Sequence, residues 1–299
     1  MDGETSSLKL WLSGARPQTL VLSLTPIAVG AAYAQAVHYR LALVPLAAAI
    51  LSAIAIQTAT NLANDSADGG RGADGADRLG PTRLVGAGLM SAERVRAGAI
   101  MASIIAVLCG LVVVAYGGLP IIAIGIASLI CAWAYSWGPV PISASPLGEI
   151  FVVLFFGIAA VAGTVWIAAG AVDATAILLG IAIGMPAAAV LTVNNHRDRA
   201  QDAKNGRRTL AILLGAKGTV VVYGCELALA SLLAAFALLP LTQGAILLAL
   251  VGCGAAVARA VRLSHVPISR ALNAELVATV RFQIGLAAGV VALLLSASR

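Results

Sequence analysis

The stretch Asn61-Leu62-Ala63-Asn64-Asp65-Ser66-Ala67-Asp68-Gly69-Gly70-Arg71-Gly72 sets two amides, two carboxylates and a cation at the end of an unbroken hydrophobic run. Its counterpart is Asn194-Asn195-His196-Arg197-Asp198-Arg199-Ala200-Gln201-Asp202-Ala203-Lys204, which also follows a long apolar run. On a helix, Asp65 and Asp68 at i and i+3 share a face with Asn61, and Asn194, Asp198 and Asp202 repeat this at i, i+4 and i+8. Carboxylates crowded in this way repel one another and are costly to bury beside a membrane, so they call for a compensating cation. Two Asp pairs with amide oxygens suit Mg²⁺, a hard ion that takes few carboxylates and keeps positions for water and phosphate oxygens. Asp65, Asp68, Asp198 and Asp202 are therefore the candidate metal ligands and catalytic residues. The interleaved Arg71, Arg78, Arg83, Arg197, Arg199, Lys204, Arg207 and Arg208 exceed what a metal alone needs and suit a polyanion. A diphosphate bridged by Mg²⁺ and clamped by Arg and Lys is stabilised most as charge builds on departure. A single Asp-x-x-Asp is equally compatible with a solvated membrane-edge loop, but two clusters in corresponding positions argue for one shared site. Spacing alone gives a metal-diphosphate enzyme at a membrane surface and leaves its substrate open.

The elements that must position these residues follow from composition. Of 299 residues, 60% are hydrophobic and only 11% charged, far below the roughly one quarter charged in soluble domains. This is the composition of an integral membrane protein, expected to be one polytopic all-α domain over residues 1–299. Abundant Ala and Gly let helices approach closely where packing in lipid relies on van der Waals contact. About twenty apolar residues span a bilayer, and nine windows qualify, near 17–37, 41–63, 95–115, 118–136, 147–170, 174–194, 219–239, 241–261 and 280–297. With a cytoplasmic N-terminus, seventeen of nineteen Lys and Arg fall on the inside, leaving Arg40 and Arg299 outside. That bias predicts a cytoplasmic active face in the cell inner membrane. The formal net charge of +6 is then mostly topological; no nucleic-acid partner is expected, and lipid and an anionic substrate are. The two long inside connections, about 64–94 and 194–218, carry both clusters, and their placement four spans apart hints at a duplicated four-helix unit. Cys109, Cys131, Cys225 and Cys253 lie singly in apolar segments without metal-ligand spacing and read as small buried residues. Residues 1–12 carry Asp2 and Glu4 before Lys9 and read as no cleaved signal peptide.

Asn64-Asp65-x-x-Asp68 and Asp198-x-x-x-Asp202 resemble the two aspartate-rich motifs of the UbiA-type membrane prenyltransferase superfamily. Within it, Arg16-Pro17-Gln18-Thr19-Leu20, Asn64 through Gly72, Tyr135-Ser136-Trp137-Gly138-Pro139, Pro146-Leu147-Gly148-Glu149 and Asn194 through Asp198 resemble the branch that prenylates 1,4-dihydroxy-2-naphthoate in menaquinone biosynthesis. The resemblance covers nearly the whole chain. Two departures stand out. Gly72 occupies a position where many members carry Asp, with Asp74 as a possible substitute, and Gly206-Arg207-Arg208-Thr209-Leu210 replaces a more usual Gly-Lys-x-Thr-Leu. The second trades a compact ammonium for a planar fork, still suited to phosphate. The resemblance implies an allylic polyprenyl diphosphate held through Mg²⁺, and a naphthoate ring that attacks at its carboxyl-bearing carbon with loss of carbon dioxide. Demethylmenaquinol would follow, with the isoprenoid tail lodged among the apolar spans.

The remaining candidates are substrate-binding ones: Asn61, Asn64, Arg71, Arg83, Tyr135, Asn194, Lys204, Arg207, Arg208 and Arg16, with the division of the cations between the diphosphate and the acceptor carboxylate left open. Arg16, beside Pro17 at a first helical position, is open between an acceptor-carboxylate partner and a membrane-edge anchor. Tyr135 is open between facing an allylic cation and an interfacial belt, and Glu149 between a structural role and the acceptor. His196 points about 160° from Asp198 around a helix and reads as non-catalytic. Three rivals remain. A CDP-alcohol phosphotransferase expects D-G-x-x-A-R, which Asp68-Gly69-Gly70-Arg71-Gly72-Ala73 lacks. A UbiA-type enzyme for 4-hydroxybenzoate, homogentisate or haem fits the motifs less closely. A secondary transporter would carry its charges near the bilayer midplane, not at one edge.

Overall fold

The computed structural model describes residues 7–37, 39–40, 42–70 and 78–297. Among them no strand occurs, and the chain runs as α1 (Ser7–Ala15), α2 (Pro17–Ala36), α3 (Leu43–Gly70), α4 (Ala92–Ala134), α5 (Gly148–Val153), α6 (Ala160–Ala169), α7 (Ala174–Lys204), α8 (Leu210–Leu238), α9 (Gly244–His265) and α10 (Leu272–Ala297). A π-helical segment, Leu154–Ala159, joins α5 to α6 into one apolar rod. Eight such helical stretches are long and apolar enough to cross a membrane. The 43-residue α4 counts twice, because Gly118 breaks it with φ 60° and ψ −146°. A straight helix would separate Ser103 from Trp133 by about 45 Å at 1.5 Å per residue, yet the Trp133 indole N–H donates to Ser103 Oγ at 3.1 Å. Arg96 likewise sits over the Trp137 ring, 5.8 Å from its centroid. The chain therefore reverses at Gly118, where a left-handed backbone favours glycine, and the described residues form nine apolar spans, as expected.

The span boundaries differ from the sequence reading in one consistent way. The second, sixth, seventh and ninth windows lengthen to Leu43–Gly70, Ala174–Lys204, Leu210–Leu238 and Leu272–Ala297. Both polar clusters thus ride on helical extensions of α3 and α7, and the expected long loop over 194–218 shrinks to residues 205–209. Hydropathy marks only where a helix leaves the apolar layer; a helix continues beyond it wherever its backbone bonds persist and its side chains find partners.

The core is built on close backbone approach. α7 is mostly buried in its apolar window, and the π-helical segment lies against it so tightly that a Cβ on Gly157 would stand 2.2 Å from the Gly180 carbonyl oxygen. At the opposite end, Asp173 caps α7 by accepting from the Ala176 N–H at 2.8 Å and also accepts the Tyr33 hydroxyl of α2 at 2.5 Å. Both polar clusters are at the end of the bundle away from this latch.

Candidate active site

Three helical ends and two connections build the site. α3 brings Asn64 and Asp68, at i and i+4, to one face. Arg83, in the connection before α4, donates from Nη1 to Asp68 Oδ2 at 2.7 Å, to Asn64 Oδ1 at 2.9 Å and to the Asn64 carbonyl at 3.0 Å. Arg207, just after α7, donates from Nη2 to Asp68 Oδ1 at 2.7 Å, and its Nη1 lies 3.3 Å from Asp202 Oδ1. One guanidinium therefore ties the first cluster to the second across 139 residues of sequence. Burial pushes the Arg207 pKa down, but the Asp68 and Asp202 carboxylates outweigh it and hold the group above its ordinary value.

Asp65 is put to a different use from the shared-face role expected of it. Its two oxygens accept the backbone N–H groups of Leu84 at 2.8 Å and Val85 at 3.1 Å. One residue on from Asn64, it points off the Asn64–Asp68 face and pins the Arg83 connection down onto α3. Among the described residues no three Asp, Glu, His or Cys side chains come close enough to enclose a metal on their own. The convergent hard oxygens are instead carboxylates mixed with amides, and each is matched to a guanidinium.

The second cluster is organised by Arg197, whose side chain is buried. It forks onto Asp198 with Nε to Oδ1 at 2.8 Å and Nη2 to Oδ2 at 2.6 Å, and reaches Asn194 Oδ1 at 2.7 Å. Its Nη1 donates to Asn273 Oδ1 at 2.7 Å, and Asn273 in turn donates to the Leu79 carbonyl at 3.0 Å. Gly80 passes directly over this guanidinium; a Cβ there would stand 2.6 Å from Arg197 Nη2. Asn273 is absent from the sequence reading because it lies on α10, remote from both motifs, with no local pattern to mark it.

Below these charges runs a cavity of about 1140 Å³. Arg16, Asn61, Asn64, Arg78, Arg83, Tyr135, Asn194, Asn273 and Arg281 line its polar head, and Ile56, Val113, Ile121, Ile124, Phe151, Phe155, Phe156 and Ile167 its apolar shaft. From Asn64 to Ala49 the α3 wall alone runs fifteen residues, about 22 Å at 1.5 Å per residue. The shaft reaches the flank of the bundle, since its lining residues Leu111 and Ile126 are 58% and 55% exposed. Such a shape takes an elongated molecule with an anionic head and a greasy tail that enters sideways from lipid.

Arg16 is held at the cavity by an unusual turn. It is the one non-glycine residue with positive φ among those described, at 53°, a conformation costing about 1–2 kcal/mol. The turn is fastened by the Thr19 hydroxyl, which donates to the Arg16 carbonyl at 2.9 Å, and by Asn61 Nδ2, which donates to the Ala15 carbonyl at 2.9 Å and to Thr19 Oγ1 at 3.1 Å. Tyr135 lines the cavity beside the carboxylates. Burial, then the Glu149 charge, push its phenol above the ordinary value, with Arg207 opposing and Asp68 and Asp202 adding, so the ring is neutral at physiological pH. Glu149 is buried behind it and accepts from Asn195 Nδ2 at 2.9 Å. Lys204 and Arg208 are exposed and do not line the cavity, and Arg71 lies outside the described residues. The sequence reading also passes over Gln57, which lines the cavity. Its signal is legible: Gln57, Asn61 and Asn64 at i, i+4 and i+7 make one polar stripe on an apolar span.

The profile of the UbiA prenyltransferase family matches residues 23–295. The chain belongs to that family. Among UbiA relatives, the 1,4-dihydroxy-2-naphthoate octaprenyltransferase of Mycobacterium tuberculosis is 37% identical over 231 residues, 76% of this chain and 77% of that one. The enzyme of the same name from Haemophilus influenzae is 37% identical over 230 residues, covering 74% and 73%. Solved UbiA structures share the fold. A homolog from Archaeoglobus fulgidus bound to DMAPP and Mg²⁺ superposes with a TM-score of 0.69 at 16% identity, over 95% of this chain and 99% of that one. A homolog from Aeropyrum pernix gives 0.69 at 18% identity, over 94% and 98%. The UbiA bundle and its membrane character are thus as the sequence implied.

Proposed function

We propose that the protein transfers a polyprenyl group from an allylic polyprenyl diphosphate to 1,4-dihydroxy-2-naphthoate, releasing diphosphate and carbon dioxide and yielding demethylmenaquinol. The observation that carries this reading is the Arg207 bridge between Asp68 and Asp202, joined through Arg83 to the polar head of a long apolar cavity that Arg83 and Asn64 line. It is the arrangement expected of a site that binds a charged head through cations and a tail through apolar contact. The names of the relatives from Mycobacterium tuberculosis and Haemophilus influenzae support the naphthoate acceptor and menaquinone biosynthesis.

The donors are all hard oxygen and in that respect suit Mg²⁺, but among the described residues no three carboxylates close on one ion: Asp68 with Asn64, and Asp198 and Asp202 with Asn194, would hold it together with phosphate oxygens of the substrate. When bound, Mg²⁺ supplies charge neutralisation of the departing diphosphate. Arg83 and Arg207 stabilise the same developing charge, while Asp65 holds the Arg83 connection in position. The allylic C–O bond breaks with its electron pair leaving on diphosphate. The ring carbon bearing the carboxylate forms the new C–C bond, and the electrons of the C–CO₂ bond restore the aromatic ring. Arg16 pairs with the acceptor carboxylate, and the neutral Tyr135 ring faces the allylic cation. The excess of Lys and Arg at the site's end of the bundle supports a cytoplasm-facing site in the inner membrane.

Purified protein incubated in detergent with Mg²⁺, a polyprenyl diphosphate and 1,4-dihydroxy-2-naphthoate is expected to give a prenylated product lacking the carboxylate. Product only with a different aromatic acid would overturn the acceptor assignment, and a product that retains the carboxylate would overturn the decarboxylation.

A further inference from the structure

We infer that Gln57 is the residue by which the site recognises a ring hydroxyl of its aromatic acceptor. The inference rests on the proposed reaction for the nature of the two substrates, and on hydrogen-bond accounting for everything else. Gln57 lies on α3 one turn below Asn61, lines the cavity and is only 7% exposed. Its Nε2 is 3.4 Å from Thr19 Oγ1, while its Oε1 is buried and has no hydrogen-bond partner.

The orientation of this amide follows from its neighbours. The Thr19 hydroxyl has one proton, and it goes to the Arg16 carbonyl at 2.9 Å. Thr19 Oγ1 can therefore only accept from the amides around it, so Gln57 must present its NH₂ group there, as Asn61 does at 3.1 Å. Gln57 Oε1 is left as an acceptor in search of a donor. Two other polar side chains of α3 that line the cavity are engaged with backbone: Thr60 Oγ1 donates to the Ile56 carbonyl at 2.9 Å and Ser52 Oγ to the Ala106 carbonyl at 3.0 Å. A buried acceptor without a donor is destabilising and marks a place where a ligand proton belongs.

The two substrates differ in what they can offer. A polyprenyl tail has no O–H or N–H, and an ionised diphosphate only accepts. A hydroxylated aromatic acid is the one that can donate, and Arg16 at the same end of the cavity suits its carboxylate. Gln57 is thus a specificity and positioning residue that fixes the ring relative to the allylic carbon. Gln283 gives the internal comparison. Its Oε1 is equally partnerless and buried, but it does not line the cavity, so no substrate can answer it.

The test compares Gln57→Met, which keeps the length and loses the acceptor, with Gln57→Glu, which keeps an acceptor oxygen, and with Gln283→Met. For each, binding of 1,4-dihydroxy-2-naphthoate is measured against 1-hydroxy-2-naphthoate and 4-hydroxy-2-naphthoate, together with the KM for polyprenyl diphosphate. Wild type and Gln283→Met are expected to prefer the dihydroxy acid over one monohydroxy analogue by about tenfold, and Gln57→Glu to keep that preference. Gln57→Met should lose it while the diphosphate KM stays unchanged. An undiminished preference in Gln57→Met, or a diphosphate KM that rises with the acceptor KM, would overturn the inference. If wild type prenylates a different hydroxylated acid, the proposed acceptor fails, and the same ratio with that acid and its deoxy analogue decides Gln57 separately.

Discussion

Asp65 and Asp68 stand three residues apart and do different work, and that difference yields a paired prediction. Asp68 takes two guanidiniums, Arg83 and Arg207, whereas Asp65 takes two backbone N–H groups. Asp68→Asn turns an amide donor toward one of its two guanidiniums, so turnover is expected to fall at least about 100-fold and Mg²⁺ affinity with it, alongside a loss of stability from the broken ion pair. Asp65→Asn must turn a donor toward one of the two buried N–H groups, and about 1–3 kcal/mol of stability goes with that lost bond. Thermal melting and Mn²⁺ titration separate the two: a large loss of metal affinity without loss of stability in Asp65→Asn would contradict its pinning role. The motif itself was plain in the sequence. Which carboxylate faced the site was not, because helical spacing tells which residues share a face but not toward which neighbour that face turns.

At the level of elements, the site depends on α7 reaching it along a helix packed backbone to backbone. The approach of Gly157 to Gly180 and Gly184 leaves no room for even a methyl group. Gly157→Ala is expected to destabilise the bundle by about 3 kcal/mol or more, seen as a lower melting temperature in detergent and aggregation on size exclusion. Gly254→Ala, where a Cβ meets nothing within 4 Å, should change neither. Equal behaviour of the two variants would refute the close-packing account. The richness in small residues was legible from composition, but which glycines touch depends on the rotation of each helix about its axis, and only packing determines that.

For the whole molecule, the cavity couples a charged head to an apolar shaft, and its depth should set the tail it accepts. Ala49 lines the shaft far from Asn64, so Ala49→Phe is expected to cut activity with long polyprenyl diphosphates about tenfold or more while sparing short ones. A uniform fall across chain lengths would contradict this. Orientation is checked independently. Arg208 is exposed beside the site, and Arg208→Cys, in a background with the four native cysteines replaced, should react with a membrane-impermeant thiol reagent in inverted vesicles and not in intact cells.

The sequence by itself determined the class of molecule, the number of spans and the two polar clusters proposed to form the site, because hydropathy and helical spacing are local properties that survive without a fold. It also carried the family, through motifs that run in order along the chain. The tertiary structure alone decided that Arg207 bridges Asp68 to Asp202, that Arg197 gathers Asp198, Asn194 and Asn273, and that Asp65 serves the backbone. It likewise decided that Gln57 Oε1 is left waiting beside Thr19. Each of these is a pairing between residues far apart in sequence, set by how the helices rotate and cross, and the physical rule that buried polar groups must be satisfied shows itself only once those partners are in place.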